Sequence, residues 1–116
     1  IKLHFDMHHG YGVLDKAIDC MNIRDREDFR KFVSNNSIFN PHIMCISKKK
    51  LLDKWFKDLF RWLFDCEKTF GFKNLAGYDQ QRLYAYLAER YLPFWFKKYT
   101  KNKELNWVFF DTTKQK

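Results

Sequence analysis

Ile1-Lys2-Leu3-His4-Phe5 opens the chain with apolar and polar residues in strict alternation, the period-2 signature of a half-buried strand. The reading of this stretch decides the fold, because most of the remaining chain has helical spacing. Two further runs match it. His42-Ile43-Met44-Cys45-Ile46 is short and apolar and fits a buried strand, and Asn106-Trp107-Val108-Phe109-Phe110 fits a last strand before a polar tail. On these readings the fold is α/β and helix-rich, with two long helices and a few short strands.

Outward from the first stretch, Asp6 to Gly12 reads as a loop with two glycines. Val13 to Met21 comes next as a short helix with Leu14, Ala17, Ile18 and Met21 on one face. Arg24 to Val33 reads as a second helix, with Phe29, Phe32 and Val33 inward and its charges outward. Ser34 to Pro41 is loop chemistry, since Asn and Ser compete for backbone hydrogen bonds. The first long helix spans Lys48 to about Phe70, with Ser47 as N-cap and Gly71 as stop. Leu52, Trp55, Phe56, Leu59, Phe60, Leu63 and Phe70 give it a broad apolar face. The second is capped by Asp79 and runs to roughly Tyr99, where Pro93 should kink or break it.

The 116 residues suit one domain, and 46% hydrophobic with 20% aromatic residues excludes disorder. The three strands are non-sequential and do not close a fold by themselves. Residues 1–116 are therefore expected to be a single-domain fragment of a longer protein. A net charge of +8 favours anionic partners, whether phosphate-bearing substrates, an acidic membrane surface or nucleic acid. No nucleic-acid signature accompanies the charge, so nucleic acid is set aside. No run approaches the ~18 apolar residues of a spanning helix. Cys20, Cys45 and Cys66 form no CxxC pair, which argues for reduced buried thiols. Together these point to a cytoplasmic chain, peripheral at most to the inner face of the cell membrane.

Charges within apolar helical spacing are the places to look for function, because burial penalises them unless they are paired or used. Arg82 and Glu89 are one heptad apart and share a face, with Arg90 adjacent. They form either a structural ion pair or the lining of a polar cleft. Asp79 is an N-cap by position and a candidate carboxylate by chemistry. Asp6, His8 and His9 bring a carboxylate and two imidazoles into one segment, the ingredients of a metal or phosphate contact or of a solvated or core-capping His pair. Lys48, Lys49 and Lys50 lead into Lys54, Lys57 and Arg61, a basic helix face that is either solvated or turned to anionic lipid or nucleic acid. Pro93 to Tyr99 mixes large aromatics with lysines, as interfacial segments and core segments both do.

Asn40-Pro41-His42-Ile43-Met44, the Trp/Phe-rich helix with Leu63-Phe64 and Cys66-Glu67-Lys68, and Arg82-Leu83-Tyr84-Ala85-Tyr86-Leu87-Ala88-Glu89-Arg90-Tyr91-Leu92 together resemble the C-terminal half of a glycosyltransferase family. It is a bacterial family found in capsule and lipopolysaccharide gene clusters and long labelled only as a domain of unknown function. The resemblance runs from about His8 to Phe96, and Ala88-Glu89-Arg90 is its most specific part. His42 stands where the family has Phe, and Ala85-Tyr86 where it has Gly-Phe. The resemblance implies a GT-A-like fold whose N-terminal, nucleotide-sugar-binding part is absent here. It implies a hexosyltransferase-type enzyme, inactive as this fragment, that moves a sugar from a nucleotide-sugar donor to a glycan or lipid-linked glycan acceptor. A divalent cation, Mn or Mg, would be held mainly by the absent part. By the same resemblance Glu89 or Asp79 would serve the acceptor hydroxyl as catalytic carboxylate, while Arg82 and Arg90 neutralise phosphate or brace that carboxylate. His8, His9 and Asn40 would line the donor or acceptor pocket. The alternative is a non-catalytic interaction or membrane-docking module.

Overall fold

The computed structural model describes residues 1–36, 43–71 and 82–102. Among them it holds five helices and no strand: α1 (Lys2–His9), α2 (Val13–Asp19), α3 (Ile23–Asn35), α4 (Lys49–Phe70) and α5 (Leu83–Tyr99). The α/β expectation is therefore wrong, and with it the GT-A-like layering.

The first stretch is helical because its alternation also contains a helical row. Ile1, Phe5 and His9 stand four residues apart, the spacing of one helix face, and Phe5 and His9 are buried while Leu3 and Met7 are exposed. The helix thus continues through most of the expected loop and stops at Gly10. The turn into α2 needs glycine at position 12, whose φ of 83° lies in the left-handed region. The expected strand at 42–46 is also overturned. Residues 43–46 have no regular structure and are exposed, and no strand is present among the described residues to pair their backbone. The strand expected at 106–110 lies outside the described residues.

The other helices match their sequence spacing closely. Asn22 caps α3 by accepting the Asp25 N–H at 3.0 Å, and Gly71 ends α4 at φ 61°. The cap of α4 is Lys48, one residue beyond the expected Ser47. Pro93 does not break α5, which continues to Tyr99. Its missing N–H removes the usual i+4 donor to the Glu89 carbonyl.

Packing runs α1 on α2, α2 on α3, and both α3 and α4 on α5. Phe29 sits at the centre, edge-on to Trp62 and Tyr91 at 5.6 and 5.9 Å and tilted against Phe94 at 4.9 Å. From α4 only the row Trp55, Leu59, Trp62 and Cys66 is buried, and the Trp62 indole donates to the Ala17 carbonyl at 2.7 Å. Phe94 and Trp95 belong to this core. The aromatic Pro93–Tyr99 segment is thus core packing rather than an interfacial surface. Tyr84 donates to the Gly71 carbonyl at 2.7 Å and fastens the start of α5 to the end of α4.

Candidate functional site

Of the two buried polar groups of α1, His9 faces Tyr86 in the middle of α5, where Arg90 is also buried, whereas Asp6 lies toward Lys2, Asp15 and the Gly12 N–H. The His9 ring lies between Phe5 at 4.5 Å and Tyr86 at 4.7 Å. The Arg90 guanidinium stands over the same two rings, 5.1 Å from Phe5 and 5.6 Å from Tyr86. It donates to the Tyr86 carbonyl at 3.1 Å, approaches His4 Nδ1 at 3.4 Å and meets the Glu89 carboxylate at 3.6 Å. Arg82, exposed one turn before Tyr86, places its guanidinium 5.9 Å from that ring. Four of the sequence candidates, His9, Arg82, Glu89 and Arg90, therefore meet at one α1–α5 seam.

The seam is hard on charge. Burial lowers the Arg90 pKa, and the Glu89 charge offsets this only in part. Burial likewise raises the Asp6 carboxyl, with Lys2 and the Gly12 N–H as partial offsets. Glu89 keeps 17% of its side chain exposed, so it is the carboxylate of the seam that opens to solvent. Arg90, at 3% exposure, reaches no bulk solvent, and a solvent-borne phosphate would meet Arg82 instead. His8 belongs to α1, but its side chain lies outside the described part, as do Asp79 and Asn40.

A metal fits this seam poorly. His9 is enclosed by two aromatic rings, Asp6 lies toward Lys2 at 3.9 Å, and no group of three or more metal-ligating side chains forms among the described residues.

A further buried charge lies near the C-terminal end of α5. Asp25, placed among the outward charges of α3, is fully buried. It accepts from Lys98 at 2.8 Å and from the Tyr99 hydroxyl, and lies 3.4 Å from Arg24. Arg24 and the Trp95 indole also converge on Asp58, at 3.3 and 2.8 Å. Burial alone would raise the Asp25 carboxyl. The hydrogen bonds from Lys98 and Tyr99 and the charges of Lys98 and Arg24 outweigh it and hold the group below the usual carboxylate value. The signal was present in the spacing, since Asp25, Phe29 and Val33 form one four-residue row.

Among the described residues no helix is long and apolar enough to cross a membrane. Cys20, Cys45 and Cys66 are free thiols; of the three expected to be buried, Cys66 is, Cys20 is half-buried and Cys45 is exposed. Neither the curated proteins nor the solved structures contain a match to the chain. The model of a family described as a domain of unknown function, DUF4422, matches residues 2–102 and so takes in all five helices and the whole α1–α5 seam; the chain belongs to that family.

Proposed function

We propose that the chain is the acceptor-side part of a glycosyltransferase that moves a sugar from a nucleotide-sugar donor to a cell-surface polysaccharide acceptor, as the resemblance to capsule and lipopolysaccharide enzymes implies. The observation that supports it best is the convergence of Glu89, Arg90, Arg82 and His9 on one seam, with Glu89 open to solvent. A carboxylate in that place can take the proton of an attacking hydroxyl, and a cation beside it can stabilise a departing diphosphate. Glu89 is the base in this reading, and Arg82, being exposed, is the diphosphate contact. Arg90 and His9 are positioning residues: Arg90 fixes the Glu89 carboxylate from one side while its own guanidinium is held against Phe5 and Tyr86. Asp79 is the alternative carboxylate that the resemblance allows, and Asn40 and His8 keep their place in the donor or acceptor pocket. The donor site, and any divalent cation, belong to the part upstream.

The test is sugar transfer by the full-length protein with a panel of nucleoside-diphosphate sugars, read as nucleoside-diphosphate release in the presence of acceptor glycan. Glu89→Gln should lower kcat by about 10²–10⁴-fold with an unchanged melting temperature. The rival reading, an interaction module in which Glu89 and Arg90 are a structural pair, rests on the same 3.6 Å contact. It predicts lost stability in Glu89→Gln and no transfer to lose.

A further inference from the structure

On α4, Phe56, Phe60 and Phe64 are 43%, 47% and 61% exposed, although their spacing had placed Phe56 and Phe60 on the buried face. They form a ridge one helical turn apart, with ring centroids 6.0 and 6.2 Å from their neighbours. Over eight residues the ridge extends ~12 Å along the helix axis. The core row Trp55, Leu59, Trp62 and Cys66 faces elsewhere.

Beside the ridge stand Lys50, Lys54, Lys57 and Arg61, all exposed. None of these four makes an ion pair among the described residues, whereas Lys2, Arg24, Arg30 and Lys98 are all paired. The chain entering α4 adds Met44 and Ile46, which are 68% and 99% exposed, followed by Lys48 and by Lys49, which pairs with Asp53 at 2.9 Å. Apolar side chains in a line, bordered by Lys50, Lys54, Lys57 and Arg61 with no ion pair among the described residues, are the pattern of a helix lying in a lipid interface.

We infer that the outer face of α4 docks on an anionic membrane surface, with Phe56, Phe60 and Phe64 entering the headgroup layer and Lys50, Lys54, Lys57 and Arg61 lying on acidic lipid. Charge decides between occupants. A second copy would bring the same cations against themselves, and like charges at close range oppose such a pairing. This docking goes beyond the transfer reading and stands without it.

The test is co-sedimentation of the full chain with vesicles of phosphatidylcholine alone or with added phosphatidylserine. The chain should bind the acidic vesicles and be released by salt. Phe56→Ser/Phe60→Ser/Phe64→Ser should weaken that binding by about tenfold or more with unchanged helical circular dichroism. Lys57→Glu/Arg61→Glu, at exposed positions, should weaken it independently and remove most of the salt dependence. Absence of binding, equal binding to neutral vesicles, or undiminished binding by a folded Phe variant would overturn the inference. So would a dimer of the wild type that the Phe substitutions convert to monomer, which would assign the ridge to a second copy.

Discussion

Asp25 is buried against α5 and Arg90 is buried on α5 against α1, and their surroundings treat charge in opposite ways. Asp25 has short bonds from Lys98 and Tyr99, a guanidinium at 3.4 Å, and a carboxyl held below its usual value. Arg90 has two ring faces, a carbonyl and a carboxylate at 3.6 Å, and burial shifts it toward losing its charge. A charge that its surroundings favour braces the fold. One that its surroundings disfavour costs stability to keep, and that cost is the usual mark of a group retained for another purpose.

The largest expected effect tests the first half of this contrast. Asp25→Ala should cost about 2–3 kcal/mol in urea unfolding, because it leaves the Tyr99 hydroxyl beside a closed core without its acceptor and takes one of two carboxylates from Lys98, which keeps Asp28. The acid limb should reflect the same group. A carboxyl with a depressed folded-state pKa contributes stability that is complete above the unfolded value, about 4, and is lost as pH falls through the folded one. Asp25→Asn should flatten that limb. An Asp25→Ala protein as stable as the wild type would mean that the network is ornamental and the comparison empty.

Tyr99→Phe has a smaller effect, about 1–2 kcal/mol for one hydrogen bond to a charged acceptor. Burial and Asp25 push the Tyr99 phenol up to about 12. The folded state therefore favours the neutral phenol. Its contribution is complete below about pH 10 and is lost as pH rises toward 12. The alkaline unfolding limb of the wild type over that window should be shallower in Tyr99→Phe, and an identical limb in both proteins would assign it to other groups.

Much of this was legible in the residues, and the failures share a physical cause. Four helices could be read because Leu14, Ala17 and Ile18, then Phe29 and Val33, then Trp55, Leu59 and Trp62, then Leu87, Tyr91 and Trp95 recur at three- and four-residue spacing and are buried in the fold. α1 failed because five residues are too few to separate period 2 from the four-residue row Ile1, Phe5, His9. The run at 43–46 failed because apolarity predicts burial only when another element is there to cover it. The same limit hid the Phe56–Phe64 ridge, since periodicity shows that a face is apolar and not that it is occupied. Arg82, Glu89 and Arg90 stood out as charges among apolar neighbours, and His9 joined them only in three dimensions. Asp25 was masked by Arg24, Arg26, Glu27 and Asp28, which make its whole segment look like solvated surface.

The smallest expected effect on stability decides the comparison. Arg90→Met keeps the length and apolar bulk of the side chain and removes a charge that burial already disfavours, so unfolding should stay within about 1 kcal/mol of wild type. If the Glu89 carboxylate depends on Arg90 for its position, transfer by the full-length protein should nevertheless fall by about tenfold or more. Arg90→Lys, which keeps a cation on a shorter contact, should recover part of it. The two readouts separate the roles because a brace moves both together. Should Arg90→Met unfold as easily as Asp25→Ala, Arg90 is a second brace, the α1–α5 seam is held by charge after all, and the case for Glu89 as the base loses its closest neighbour.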